Sequence, residues 1–416
     1  MSPSVIIIEP HSSGVHLVSR CEAMGMRVVL LTRNAGARQP SLTCLHNAHR
    51  VEVIDTNDPV AVISLVVAIA SQEEVCAIIP GFEYYVPLAA HCTRALGLQG
   101  PNPQHVFKVR LKDQMRAALF QAGLASPAFS SVNRITGLER AARQVGFPAV
   151  IKPINLSRGV GVYRVDSQAE LEEVWMLLAD DLLSDLDVLG HPCFLLEEYV
   201  KGPEYSVTGF VTEGHVHVLA IIEKSLDADQ SFTELSHVIP ARLDVTTQSH
   251  IHAYVRAVVV AVQLDMGPFH VDLRLTSRGP VLIEIAARLP DDHLCDLITL
   301  SQGVDLCALM VDAYLGIPLK IPDLITGCFA GITYFREIGL PYYTDAFGET
   351  EVTLQPGFVQ YTPLVRPMET IATNPRGRSR LGCCIFTGNN YEELQARLHL
   401  ARQTVRFAQF NLSVAQ

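Results

Sequence analysis

A chain of 416 residues with 49% hydrophobic and 18% charged side chains is long enough for roughly two to four packed units and ordinary in composition. Acidic residues outnumber basic ones, 43 to 32, giving a formal net charge of −11 with no basic run, which argues against a nucleic-acid backbone as partner. Ten scattered cysteines without a CxxC pair predict reduced, mostly buried thiols in a cytoplasmic protein, and the longest weakly polar run, residues 59–70, is too short for the ~20-residue depth of a bilayer, so no membrane partner is expected.

The amino-terminal stretch MSPSVIIIEPHSSG lacks a charged n-region and has only a short apolar run, so it reads as a first strand and not as a signal peptide. A helix-periodic segment, VHLVSRCEAMG, follows, and then a second strand, MRVVLLTRN. The pattern repeats through HRVEVIDTN, a helix over 58–71, and VCAIIPGFE. Strands alternating with helices predict a parallel, doubly wound α/β sheet. The turn PHSSG is no GxGxxG fingerprint, so a Rossmann-like domain without an implied dinucleotide is expected over residues 1–105.

Beyond residue 105 the texture becomes α+β. HVFKVRLKDQMRAALFQAGLASP reads as a helix closed by glycine and proline, and FPAVIKP as a strand with Lys152 near its end. CFLLEEYVKGPEYSVTGFVTEGHVHVLAIIEKS alternates like antiparallel strands with turns at 201–203 and 213–214. A helix over 246–265, the strand pair FHVDLRLTSRGPVLIEIAAR and a helix near 303–315 follow, and the tail closes on a final helix, YEELQARLHLARQTVRFA.

The strand pair carries the sharpest chemistry. A turn at Ser277-Arg278-Gly279 places Asp272 opposite Glu284 on one face, with His270 and Arg274 beside the first and Leu282 and Ala286 beside the second. Two facing carboxylates repel unless a cation lies between them, and hard oxygen ligands suit Mg²⁺ that carries phosphates. The alternative is structural pairing of Asp272 with Arg274 and of Glu284 with Arg288. Lys152 before the loop INLSRGVGV suits a phosphate cover, or is a solvated strand-end lysine. In LLEEYVKGPEYSV a strand edge offers groups that read an adenine and a carboxylate that holds a ribose, or is an exposed acidic turn. Cys44, His46 and His49 have loose metal-ligand spacing without a second cluster. His215 and His217 read as solvated, and Cys383-Cys384 as core.

Together and in this order, these segments resemble the ATP-grasp ligases over residues 1–330. The resemblance implies an ATP-grasp fold with four parts: the Rossmann-like domain, a lysine helix and lid over 106–200, a nucleotide and metal subdomain over 201–325, and a C-terminal subdomain over 326–416. It implies phosphate contacts from Lys112, Lys152, Ser157 and Gly159. It also implies an adenine hinge at Glu197, Glu198, Tyr199 and Val200, a ribose contact from Glu204, and a further nucleotide contact from Ile283. Asp272 and Glu284, twelve residues apart, would hold Mg²⁺ (two ions, with Mn²⁺ able to substitute), although Ala286 stands where the family has asparagine.

IIPGFEYYVPLAAHCTRALGLQGPNPQHV, ELSHVIPARL and EIAARLPDDH look most like the amino-acid ligases that make dipeptides, some of them makers of peptide antibiotics. The implied reaction transfers the ATP γ-phosphate to a carboxylate, and an amine then displaces phosphate from the acyl phosphate. Arg288 would clamp the carboxylate and stabilise the tetrahedral intermediate. His237 would line the acceptor pocket, or be a loop histidine without a role. Asp291 and Asp292 would attract the ammonium, or cap a helix starting near His293. Residues 120–195 would form the water-excluding lid, and a homodimer is the expected assembly. A carboxylase-type enzyme that phosphorylates bicarbonate, and a catalytically silent ATP-binding protein, are the alternatives.

Overall fold

The computed structural model describes residues 2–35, 39–157, 159–185, 193–227, 232–321, 327–336, 340–371 and 380–409. Four apolar runs, Ser4–Ile8 (β1), Arg27–Thr32 (β2), Arg50–Val53 (β3) and Val75–Pro80 (β4), form a parallel sheet in the order β3-β2-β1-β4. A parallel sheet is covered on both faces, so its strands are apolar throughout instead of alternating. Val5 and Ile7 pack towards helix Val15–Ala23, and Ile6 and Ile8 towards helices Pro59–Ala70 and Val86–Leu96.

The order reverses beside β1, where open α/β sheets usually receive a ligand past the strand ends. Here two glycines let the chain after β1 and the chain after β4 pack backbone to backbone. A Cβ on Gly14 would sit 1.9 Å from the Gly81 carbonyl oxygen, and one on Gly81 would sit 2.5 Å from Pro10 Cα. Backbone rests on backbone, which only glycine permits. Three residues past β4, Glu83 reaches Arg288, as described below.

Phe129–Val132 (β5), Ala149–Pro153 (β6), Tyr163–Val165 (β7) and Phe194–Glu198 (β8) make a small antiparallel sheet, ordered β5-β8-β6-β7. Ile151, Phe194 and Leu196 pack with Leu138, Leu171 and Trp175 of its covering helices. This sheet and its helices occupy the segment expected to be a lid, of which residues 186–192 lie outside the described residues.

The largest sheet has eight strands. It contains Glu204–Thr212 (β9), His215–Leu226 (β10), Glu234–Ile239 (β11), Gly267–Thr276 (β12), Gly279–Ala286 (β13) and Phe329–Phe335 (β14). After a short strand Asp345–Phe347 (β15) come Phe358–Pro363 (β16) and Gly382–Gly388 (β17), and the order is β13-β12-β9-β10-β11-β14-β17-β16. Strands from both sides of residue 326 therefore share one sheet.

Three local features differ from expectation. The final helix stops at Thr404, and Arg406–Ala408 (β18) pairs with β15, because Val405 turns to an extended conformation. The lysine helix is broken at Leu111, whose extended backbone separates Phe107–Arg110 from Lys112–Gln121 and leaves Lys112 at a helix start. Third, Asp272 pairs with Glu284 but Leu273 pairs with Leu282, so Ile283 is an extra, bulged residue. Leu282 and Ile285 go into the core while Ile283 and Glu284 both face the cavity, so Glu284 does not share a face with Leu282.

All ten cysteines are free thiols, and Cys383 and Cys384 are buried. Among the described residues no single helix is long and apolar enough to cross a membrane.

Candidate active site

A cavity of about 530 Å³ lies where the small four-stranded sheet, the eight-stranded sheet and the loop after β13 meet, a size within the usual small-molecule range. Lys152, Gly159, Glu197, Glu198, Tyr199 and Val200 line one part. Glu204, Asp272, Ile283 and Glu284 line another, and Arg288, Asp291, Asp292 and His237 a third. Two expected residues stand back from the lining. Lys112 Nζ donates to the Leu156 carbonyl at 2.6 Å and reaches Glu284 Oε1 at 3.3 Å, so it touches the cavity through Glu284. Ser157 donates to the Tyr84 hydroxyl at 3.4 Å instead. Arg158 of the same loop lies outside the described residues.

The two facing carboxylates are paired, but not as nearest neighbours in sequence would suggest. Asp272 Oδ1 meets Lys224 Nζ at 3.0 Å and accepts from Ser206 Oγ at 2.5 Å, whereas Arg274 serves Glu204 at 3.1 Å. Glu284 is held by Lys112, whereas Arg288 serves Glu83 at 3.1 Å and Asp291 at 3.4 Å. The pairings Asp272–Arg274 and Glu284–Arg288 are thus replaced, because the bulge and the strand twist present each acid to a lysine from another element. Lys224 also touches Glu204 at 3.1 Å and Glu234 at 2.6 Å. Burial alone would lower its ammonium pKa, yet Asp272, Glu234 and Glu204 raise it well above the ordinary value.

The Glu197 carboxylate does not project freely towards a base. It grips Arg116 Nε and Lys152 Nζ, each at 2.6 Å. Burial would raise its pKa, but Arg116 and then Lys152 hold it down at about 2. The hinge that follows is fixed through backbone: Arg274 donates to the Val200 carbonyl at 2.7 Å, and its guanidinium lies 5.2 Å from the centre of the Tyr199 ring. Val150, Val162 and Ile283 add an apolar lining, which suits a flat heteroaromatic base beside the hinge.

The far end is built by β11, β14 and the tail. His237 is a strand residue, 1% exposed, with both ring nitrogens lacking hydrogen-bond partners among the described residues. Its ring meets Tyr334 edge-on at 5.7 Å. Arg380 stacks on Tyr334 at 3.8 Å and pairs with Glu234 at 2.7 Å and Asp292 at 2.9 Å. Neither Asp291 nor Asp292 caps the following helix, Leu294–Gln302, whose cap residue His293 has φ 60 and no side-chain cap bond. The aspartates are drawn into the cavity wall by Arg288 and Arg380 instead.

These residues fit a nucleotide with Mg²⁺. Hard carboxylate oxygens face each other at Asp272 and Glu284, lysines converge beside them, and the described lining carries eight carboxylates against five lysines and arginines. Ala286 offers no third oxygen and faces His270. Glu234, His237 and Asp292 also cluster with metal-ligand spacing, but Lys224 and Arg380 already neutralise both carboxylates. Cys44 and His49 form no such cluster among the described residues, His49 accepting from the Val28 amide at 3.2 Å.

A family profile described as an ATP-grasp domain matches residues 145–296, the stretch from β6 through the paired acids. The chain carries an ATP-grasp domain, and its fold is the ATP-grasp fold. The crystal structure of an L-amino acid ligase from Bacillus licheniformis superposes with a TM-score of 0.84 over 99% of both chains, at 22% identity. An alanine–anticapsin ligase of Bacillus subtilis (strain 168) is 28% identical over 296 residues, 67% of this chain and 60% of its own. Carnosine synthase 1 of Homo sapiens is 30% identical over 194 residues, 44% of this chain and 23% of its own. The chain spans 60–64% of the length of the alanine–anticapsin ligases that it matches.

Within the ATP-grasp frame, several site residues had no separate place in the sequence reading. Lys224 interrupts an apolar strand as Glu284 does, and that shared signal would have found it. Glu83 stands three residues past a strand end in PGFEYY, near a position where functional side chains collect. Arg380 stands two residues before β17 and carries no local signal.

Proposed function

We propose that this protein is an ATP-dependent carboxylate–amine ligase that takes an amino acid on at least one side and proceeds through an acyl phosphate. The observation that supports this most is the convergence on one cavity of the Asp272–Glu284 pair, Lys152 and the Glu83-anchored Arg288. The similarity to an alanine–anticapsin ligase and an L-amino acid ligase favours amino-acid substrates.

Asp272 and Glu284 would hold Mg²⁺, which supplies charge neutralisation on the transferred phosphoryl oxygens. Lys152 and Lys112 add positive charge on the same side, as phosphoryl transfer requires. The hinge at 198–200 reads the base through its backbone, and Glu204, kept in place by Arg274 and Lys224, faces the ribose. Arg288 binds the carboxylate to be activated, in an orientation set by Glu83, and then steadies the charge of the tetrahedral intermediate. The acid-rich end attracts the amine as its ammonium, and His237, whose Nε2 stands 3.6 Å from Glu234 Oε2, takes the proton that the amine must lose before attack. The lid sheet excludes water, to which an acyl phosphate is vulnerable. Cytoplasmic location, homodimeric assembly and a role in peptide-antibiotic synthesis belong to the same proposal.

The test is phosphate release from ATP and Mg²⁺ across pooled acid–amine pairs, with mass detection of the product. Release that requires both an amino acid and an amine supports the ligase. Release that requires bicarbonate instead of a second amine favours a carboxylase, and no release with any pair favours a silent nucleotide binder.

A further inference from the structure

Arg116 is fully buried, at 0% exposure, and does not line the cavity. A guanidinium placed so deeply is costly unless its donors are used, so the destinations of its hydrogen bonds are informative. It stands four residues after Lys112 on helix Lys112–Gln121. Nε donates to Glu197 Oε1 at 2.6 Å and Nη2 to the Ile283 carbonyl at 2.7 Å, while Nη1 has no hydrogen-bond partner among the described residues. Glu197 in turn grips Lys152 at 2.6 Å, and Lys152 also approaches the Ile283 carbonyl at 3.5 Å.

Ile283 is the bulged residue of β13, so its backbone falls out of the regular ladder and its carbonyl needs a donor from elsewhere. The bulge is also what turns Glu284 to the cavity. In the regular alternation Glu284 would share the buried face of Leu282. One side chain therefore bridges the last strand of the lid sheet, the lysine expected on the phosphates and the strand carrying one of the two paired acids.

We infer that Arg116 is a positioning residue for the Mg²⁺-nucleotide: through Glu197 it sets Lys152, and through the Ile283 carbonyl it keeps the bulge that aims Glu284. This rests on the Mg²⁺-ATP part of the proposed function. The two arms are separable by chemistry. A lysine at 116 retains a charge for Glu197, but a single ammonium does not reproduce the planar fork that serves two acceptors in different directions. A methionine fills similar space and serves neither acceptor.

The test is calorimetric titration of a non-hydrolysable ATP analogue, with and without Mg²⁺, into wild type, Arg116→Lys and Arg116→Met, with ligand-free thermal unfolding as the control for folding. Wild type binds in both conditions and more tightly with Mg²⁺. Arg116→Lys keeps its Mg²⁺-free affinity within about twofold but loses about tenfold of the Mg²⁺ enhancement, the scale of one charge-assisted hydrogen bond. Arg116→Met loses affinity in both conditions. If Arg116→Met does not fold, Arg116→Lys decides alone. Wild-type binding with an Arg116→Lys profile that is unchanged, or weakened equally with and without Mg²⁺, overturns the inference. Failure of wild type to bind the analogue overturns the nucleotide reading, and this inference with it.

Discussion

Glu83 accepts a hydrogen bond from Arg288 Nε at 3.1 Å, joining residues 205 positions apart. Glu83 leaves the end of β4, and Arg288 follows the end of β13, so the pair ties the parallel N-terminal sheet to the cavity. Burial works against the Glu83 charge, but Arg288, then Arg110 and Lys112, keep its carboxyl below the usual range. Glu83→Gln preserves a hydrogen bond while removing the charge that orients the guanidinium. The expected result is a KM for the carboxylate substrate raised about tenfold with little change in KM for ATP, consistent with loss of one charge-assisted contact. Steady-state kinetics with each substrate varied in turn checks this, and equal effects on both KM values would contradict it.

Asp272→Asn and Glu284→Gln each replace an anionic carboxylate ligand by a neutral amide oxygen without removing bulk. Each should lower kcat/KM by about a hundredfold or more, as losses of groups that stabilise transferring charge do. Each should also raise the Mg²⁺ concentration needed for half-maximal rate. Lys224 keeps Glu204 and Glu234 as partners in Asp272→Asn, so unfolding temperature should move little. Rates measured across a Mg²⁺ series, beside thermal melts, separate the two effects.

Glu197, on β8 of the small four-stranded sheet, makes stability depend on acid pH. Its folded pKa is about 2 against 4.5 for the free side chain. The unfolded chain therefore takes up a proton below pH 4.5 that the folded chain refuses, so this contribution is complete above pH 4.5 and is lost as pH falls towards 2. For one buried group the slope is at most about 1.4 kcal/mol per pH unit. Denaturant unfolding between those pH values should show a shallower slope for Glu197→Gln than for wild type. Identical slopes would show that the carboxylate is not held by Arg116 and Lys152.

Arg380 and Asp292 pair at 2.9 Å at the end of the cavity assigned to the amine in the proposed function, with the Arg380 guanidinium over the Tyr334 ring. Arg380→Ala and Asp292→Asn should each weaken acceptor use, and the double variant should be no worse than the poorer single one. The expected interaction between neighbours in one charged network is about 0.5–3 kcal/mol. Kinetics on the four forms, with acceptor varied, measures it directly.

Much of this site was legible because single residues violated the pattern around them. Glu284 in an apolar strand, Lys152 at a strand end and Asp272 across a short turn all follow from alternation and the cost of lone buried charge. Partner choice was not legible. One bulged residue, Ile283, breaks the two-residue period, and no alternation rule places it. The partners of Asp272 and Glu284 come from Lys224 and Lys112, on elements whose packing is set by the tertiary fold. The final helix was overextended because VRFA continues an amphipathic pattern, whereas pairing of β18 with β15 decides its conformation. Arg380 reaches the cavity only because β17 lies next to β14.

The central claim is that a substrate carboxylate is activated as an acyl phosphate. It is tested most directly by isotope transfer. A carboxylate substrate labelled with ¹⁸O, identified by the phosphate-release screen, is turned over with ATP, Mg²⁺ and the amine, and the released phosphate is weighed by mass spectrometry. The account predicts one ¹⁸O atom transferred from the carboxylate to each phosphate formed with the amide. Amide formation with unlabelled phosphate would contradict it.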